Sequence, residues 1–564
     1  MENFKPQKMV GWFDVKQLAN TGIKAVLSTI FGSFADKRET IASISEFKVH
    51  DYSNKKEIWI DYIADTGDGF NSTYTNAFLL SQKKIQVKEA GNKTGKMELP
   101  KSSVIVFGGD QVYPVANRET YQNKFVGPFS TANPADDNSP EEDMYAIPGN
   151  HDWYDGLSSF IKLFCQGRAI GNWRTQQNRS YFAIKITDNT WLWAIDIQLD
   201  EDIDKPQLDY FDKVSSEHMQ EGNNVILCTA EPSWVYNTSL RLDKSYKNLR
   251  VFESWFIAEK KLNIIVSLSG DLHHYAHYIQ NTKASTLHKL TAGGGGAFMH
   301  PTHNLPDKLI NLREGDFVLK TTFPEKATSK KMAWGTLLFP YYNWSFGLFL
   351  ATIYLLFAWG IYISSSIGGL NIMENIRTNG FSDCNHIADM FIKALSYNPV
   401  TIIIIVLFVV GFWKFTDTGS YRNDNIGLLG AFHGLLHGCL MFSLLLFFPY
   451  FNFNVLHITG QHLMDLSVGL EIFFIGGGMA GVLVGLYLLI ANRVFKIHDD
   501  ETFSSMKIQD YKNFLRMSIK DDVLTIYPIG VRKTAKWERS GNIFKTNSVL
   551  ESELIEEPIV VKLK

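Results

Sequence analysis

From residue 57 to about residue 300 the chain repeats one layout: a short apolar run, rich in β-formers, closed by a polar cluster. "IWIDYIADTGDG" ends on Asp65 and Asp68, and "SVIVFGGDQVYP" ends on Asp110 with Tyr113 three residues on. "MYAIPGNHD" ends on Asn150, His151 and Asp152, "NVILCTAEPSW" on Glu231, and "NIIVSLSGDLHHY" on Asp271, His273 and His274. Runs of this length bounded by glycine and aspartate predict buried strands, and a layered α/β fold gathers loops at one sheet edge into one site. Ahead of them, "VKQLANTGIKAVLSTIFGSF" (15–34) has the spacing of an amphipathic helix.

The pattern changes near residue 332. Met332 to Met373 contains no Asp, Glu, Lys or Arg, and "WSFGLFLATIYLLFAWGIYI" (344–363) is long enough to span: 20 helical residues at 1.5 Å each cover a hydrocarbon core of about 30 Å. Further candidates lie near 395–414, at 426–448 and at 471–492, predicting an all-α membrane domain of four helices. Gly430, Gly434 and Gly438, and again Gly477, Gly481 and Gly485, recur every four residues. Small residues at that spacing let helices approach closely, and predict that spans three and four pack through these faces. His433 and His437 sit one turn apart, either as an intramembrane metal or proton site or as hydrogen-bonding residues facing the bundle interior. In the tail, "SSMKIQDYKNFLRMSI" has helical spacing, while "VLTIYPIGV" and "PIVVKL" read as strands. The expected organisation is an N-terminal helical segment (1–50), an α/β domain (51–325), the membrane domain (335–495) and a small α+β tail (496–564) docked on the N-terminal domain.

Charge adds an orientation. Lys326, Lys330 and Lys331 precede the first span, Lys414 and Arg422 lie between spans two and three, and Arg493 and Lys496 follow span four. The loop between spans three and four has no Lys or Arg, and the first loop only Arg377 and Lys393, so the N-terminal domain and the tail are expected in the cytoplasm. No cationic stretch followed by an apolar core opens the sequence, so no secretory signal is expected. A net charge of -3 and a pI near 6.6 give no electrostatic case for nucleic acid. Cys165, Cys228, Cys384 and Cys439 are too far apart in sequence to suggest a zinc or disulfide framework.

Gly-Asn-His-Asp alone reads as a turn, but five clusters of Asp, Asn and His are hard to explain as turns. Carboxylate, imidazole and amide together suit two hard-to-borderline metals. The order of the blocks over 55–305 resembles the calcineurin-like metallophosphoesterase superfamily, whose motifs are D-x-H or D-x-G, G-D, G-N-H-[DE], a lone His and G-H-x-H. "DTG" at 65–67 and "GDQVY" at 109–113 are similar to the purple acid phosphatase branch.

The resemblance implies a four-layer α/β/β/α sandwich and a phosphoesterase in which metal-bound hydroxide attacks a phosphate ester. The first metal would be held by Asp65, Asp110, Tyr113 and His273, although Tyr113 also reads as an aromatic packed beside Pro114. The second metal would take Asp110 and Asn150, with Asp271 in place of the first histidine of G-H-x-H. Ala230 or Glu231, depending on alignment, stands in the lone histidine's place, and Glu231 is the substitute favoured. More carboxylates argue for manganese, magnesium or iron over zinc, with manganese or iron first. His151 would be the catalytic histidine and Asp152 would orient it. Asp68, His274, His277, His300 and His303 are further candidates. Four spans beside such a domain suggest a lipid-linked phosphoester as substrate and the bilayer as partner. The alternative is a metal- or ligand-sensing domain that regulates its membrane bundle.

Overall fold

A computed structural model describes residues 4–563, apart from 21, 23–37, 92–94, 137–140, 198–201, 240–244, 282–285, 368–374, 377–383, 417–425 and 542. Two compact units divide the chain. One holds Met1–Val10, Ala19–Lys331 and Lys507–Lys564, and the other Gly11–Leu18 and Met332–Met506.

The first unit is mixed α/β. In its eleven-stranded sheet the parallel strands Glu57–Ile63, Val104–Phe107 and Glu142–Ala146 lie side by side, with Ile60 opposite Val104 and Val104 opposite Asp143. A second sheet of nine strands runs parallel through Thr190–Ala194, Asn224–Cys228, Asn263–Ser269 and Thr286–Ala292. Period-two alternation sorts the side chains. Ile58, Ile60, Tyr62 and Val106 of one sheet share a core with Leu192, Ile226, Val266 and Leu290 of the other. The alternate residues Ile63, Ile105 and Phe107 cluster with Ala77, Leu80 and Phe160 of helices Phe70–Ser81 and Ser158–Phe164. Trp191, Trp193 and Leu227 cluster with Phe211 and Val214 of Lys205–His218 and with Phe252 of Ser245–Ser254.

The tail is not a separate piece. Lys512–Lys520 pairs antiparallel with Glu57–Ile63 and carries Val523–Val531, Ser552–Leu554 and Ile559–Lys562 into the same sheet. The helical spacing read over 504–519 therefore fails after the helix Asp499–Met506. Lys512–Ile519 is buried on both faces, so no alternation marks it as a strand. The two strands are joined by Arg516, whose Nε and Nη2 donate to Asp61 Oδ1 and Oδ2 at 2.8 Å each, both side chains fully buried.

Among the described residues of the second unit, three helices are long and apolar enough to cross a membrane: Trp344–Ser364, Gly427–Asn454 and Gln461–Phe495. The fourth expected span is a shorter apolar helix, Pro399–Phe415, of 17 residues, or about 25 Å at 1.5 Å per residue. Residues 395–397 belong to a separate helix, because Asn398 caps the new one through Val400 N–H and Pro399 takes its first position. The glycine faces meet partners other than those expected. A Cβ on Gly430 or Gly434 would lie 2.1 Å from Phe412 O or 2.6 Å from Phe408 O, so span three packs on Pro399–Phe415. A Cβ on Gly477 would lie 2.5 Å from Ala351 Cβ, and one on Gly485 2.2 Å from Thr336 O, so the last helix packs on the first span and its approach. His437 Nε2 lies 3.2 Å from His433 Nε2 and its Nδ1 2.7 Å from the Tyr354 hydroxyl, a hydrogen-bonded set inside the bundle. Of the expected 15–34 helix, residues 15–20 are helical; 21 and 23–34 lie outside the described residues, as do Arg377 and Arg422.

Candidate metal centre

The polar clusters do meet at one edge of the sheets. Asp65, Asp110 and Asp271 follow strands Glu57–Ile63, Val104–Phe107 and Asn263–Ser269, and all three adopt left-handed backbone, with φ of 57°, 49° and 67°. Aspartate tolerates that region better than most residues because its short side chain bonds locally. Here the backbones also hold one another: Asp65 N–H donates to Gly109 O and Thr66 N–H to Asp110 O, both at 3.0 Å, and Asp271 N–H donates to Asp65 Oδ2 at 2.8 Å.

The buried Tyr113 hydroxyl is the hub. It lies 3.0 Å from Asp65 Oδ1, 3.2 Å from Asp110 Oδ2 and 2.9 Å from His273 Nε2. His273 Nδ1 lies 2.8 Å from the Phe298 carbonyl, so it donates there, and the neutral ring turns a lone pair on Nε2 towards the hub. Two carboxylates, an imidazole lone pair and a phenol oxygen thus converge around a single phenolic proton. With both carboxylates ionised, acceptors would outnumber protons, a deficit that a cation would fill. Burial, and next the charges of Asp110 and Asp271, pushes Asp65 well above the carboxylate range. Burial, and next Asp271, lifts Asp110 to about 8. A bound cation would reverse both shifts. The four side chains expected at the first metal are brought together here.

The expected second set is not gathered in the same way. Asn150 is exposed at the start of the short helix Asn150–Trp153. Asp271 Oδ2 accepts from the Tyr236 hydroxyl. Glu231 Oε1 accepts from Ser233 Oγ at 3.0 Å, within its own turn. Ala230 itself belongs to the inter-sheet core, and a Cβ on Gly109 would lie 2.9 Å from its Cβ. Among the described residues no group of three or more His, Cys, Asp or Glu could by itself hold a metal ion. The first set relies on Tyr113.

His151 stands beside the hub, its ring 4.5 Å from that of Tyr113 and its backbone N–H donating to Asp110 Oδ1 at 2.9 Å. Its Nδ1 lies 2.7 Å from the Pro114 carbonyl, which orients the ring. Asp152, expected in that role, instead turns back on the chain. Its Oδ2 accepts from Gly149 N–H at 2.9 Å and from Gln111 N–H at 3.3 Å, and its Oδ1 from the Tyr121 hydroxyl. As the third residue of the helix it is placed to cap the first turn, not to reach the residue before it.

Of the further candidates, His300 lies against His273, with ring centroids 3.9 Å apart and the planes tilted by 40°, and burial pushes the neighbouring His274 down to about 3. His277 bonds Glu556 at 2.8 Å and His288 at 3.0 Å, and His303 bonds Ser329 at 2.9 Å, both outside the set around Tyr113. Asp68 Oδ1 accepts from Val10 N–H at 2.8 Å and lies 3.9 Å from Lys124 Nζ. The sequence reading missed Lys124 and Lys512. Lys512 is fully buried, donates to Ala297 O, and is pushed down to about 8 by burial, against the pull of Asp510, Asp68 and Asp65. It sits in the tail strand, and no local motif marks it. Compared with known proteins, the chain matches no family model and no curated protein.

Proposed function

We propose that the protein is a membrane-anchored, metal-dependent phosphoesterase of the calcineurin-like kind, with its two sheets and flanking helices forming an α/β/β/α sandwich. The observation that carries this reading is the convergence of Asp65, Asp110 and His273 on the Tyr113 hydroxyl, from loops far apart in sequence. The three inter-sheet and sheet–helix cores support the sandwich.

Asp65, Asp110, Tyr113 and His273 would hold one ion, manganese or iron by donor type, and the expected second set, which is not gathered, is assigned none. That ion would supply Lewis acidity towards a phosphoryl oxygen and towards the attacking water. The chain's own residues do the rest. His151, with Nδ1–H donating to Pro114, presents Nε2 to the substrate. Burial holds it below the imidazole range, hence neutral. A phosphate arriving beside it raises its proton affinity, so that it takes a proton at Nε2 and passes it to the leaving oxygen. The charge bias of the flanking segments supports a cytoplasmic side for this unit, and its attachment to apolar helices favours a lipid-linked phosphoester as substrate.

The loop Ala230–Glu231 favours a second reading, a sensor that binds metal with little turnover, because Glu231 accepts from Ser233 within its own turn. Full-length protein in detergent separates the two, by metal content and by hydrolysis of chromogenic phosphomonoesters and diesters with added manganese or iron. The esterase reading expects bound metal and turnover, both lost in Asp110→Asn, and in His151→Ala metal retained with turnover down about 10²–10⁴-fold. Metal bound without turnover on either ester class favours the sensor. No metal bound sinks both.

A further inference from the structure

Asp465 is a carboxylate set in apolar surroundings. It lies one turn into the helix Gln461–Glu471, within the candidate span Gln461–Phe495. Its Oδ1 accepts from Gln461 Nε2 at 2.8 Å and its Oδ2 from the Tyr362 hydroxyl at 3.4 Å. Among the described residues no Lys, Arg or His pairs with it. An ionisable group within a span is costly unless it has a partner or a task.

Beside it is a cavity of about 490 Å³. Leu445, Val468 and Ile472 supply apolar wall, and Trp359, Tyr362 and Asp465 supply two aromatic faces and the carboxylate. The cavity lies towards the end of the bundle away from Trp344 and Phe495. Trp359 and Leu356 are exposed on the bundle's outer surface, so it opens sideways. Its size is that of a small-molecule site, and such sites are mostly apolar with a few placed polar groups. A carboxylate flanked by aromatic rings is the chemistry that recognises an ammonium group. An apolar wall facing outward from membrane-length helices is the chemistry that receives acyl chains.

We propose that this cavity binds a membrane lipid whose head group carries an ammonium, seated against Asp465, Trp359 and Tyr362 with an acyl chain along Leu445, Val468 and Ile472. The proposal does not depend on the phosphoesterase reading. The test uses full-length protein reconstituted in vesicles of equal phosphatidylethanolamine and phosphatidylglycerol, extracted in mild detergent, with the retained lipid quantified by mass spectrometry. Wild type is expected to retain the ethanolamine and glycerol lipids in a ratio of about 5:1, against 1:1 in the vesicle. Asp465→Asn is expected to fall to the vesicle ratio, and Tyr362→Phe, which keeps the ring, to stay enriched. Retention at the vesicle ratio in wild type, or equal enrichment in Asp465→Asn, overturns the proposal. If Asp465→Asn does not fold, Trp359→Leu replaces it, with at least a twofold loss of enrichment expected and an unchanged ratio counting against the site.

Discussion

A Cβ at residue 149 would lie 2.1 Å from Asp110 Oδ1, closer than any side chain tolerates, so Gly149 is what lets the Asn150–His151 turn approach the carboxylate. Gly149→Ala must push Asp110 aside, and a shift of about 1 Å in a reacting constellation costs on the order of 10²-fold. Hydrolysis and metal content measured together should both fall, while the helices keep their circular dichroism. Tyr113→Phe removes the one proton and the phenol oxygen at the hub. It is expected to leave the fold intact and to weaken metal retention against a chelator titration. With iron bound, it should also abolish the visible charge-transfer band. Asp65, Asp110, Tyr113 and His273 could be named together because each stands in a short motif at a strand end that carries the resemblance to a known family, and the structure brings the four together. Lys124 and Lys512 were not, because a lysine buried against a carboxylate leaves no mark on the residues beside it.

Strand Lys512–Lys520 shows the same limit one level up. Eight of its residues are buried in a row, so neither alternation nor composition separated it from a helix; only its pairing with Glu57–Ile63 decides. The Asp61–Arg516 pair fixes that pairing with both charges out of water. Asp61→Ala leaves a buried guanidinium uncompensated and is expected to cost about 3–5 kcal/mol, whereas Asp61→Leu with Arg516→Met should cost less; thermal unfolding of the full chain ranks them. The end of the tail is held differently. Burial would raise Glu556, but its bonds and charge contacts with His277, Lys320 and Tyr275 outweigh that and hold it down to about 2. His288, bonded to His277, is pushed down to about 4 by burial, then by His277 and Lys320. A depressed folded value means stability that is present at higher pH and lost on acidification. His288 should begin to lose its share below about 6.5, and Glu556 its own between about 4.5 and 2. The unfolding midpoint should therefore drop from pH 7 to pH 4, and Glu556→Gln should start lower at pH 7 and drop less. A variant that tracks wild type at both pH values would dismiss the clasp. The glycine stripes of the bundle were legible as packing faces, but not their partners. A small-residue face says that something approaches, and which helix does so is decided by the order in which all of them assemble.

At the scale of the molecule, the apolar helices are an insertion between a strand of the nine-stranded sheet and a strand of the eleven-stranded sheet. Phe317–Phe323 closes the first stretch of the α/β unit, and Lys512–Lys520 resumes it beside Glu57–Ile63 after the whole of Met332–Met506. Length and hydropathy revealed the insertion but placed a domain boundary on either side of it, because linear reading cannot show that two distant segments share hydrogen bonds. The consequence is testable by deletion. Residues 1–331 alone lack the strand that covers Glu57–Ile63, leaving Ile58, Ile60 and Tyr62 without Leu515, Met517 and Ile519 in their shared core and Asp61 buried without Arg516. An exposed apolar edge of that length pairs with other chains, so this fragment is expected to aggregate. Supplying Lys507–Lys564 on the same chain, with a flexible polar linker in place of Met332–Met506, restores every strand of the sheet. It is expected to give soluble, cooperatively unfolding protein that retains metal at the Tyr113 hub. Soluble, metal-retaining 1–331 would show that the tail strands are dispensable. Aggregation of both would show that the helical unit, not the tail, completes the fold.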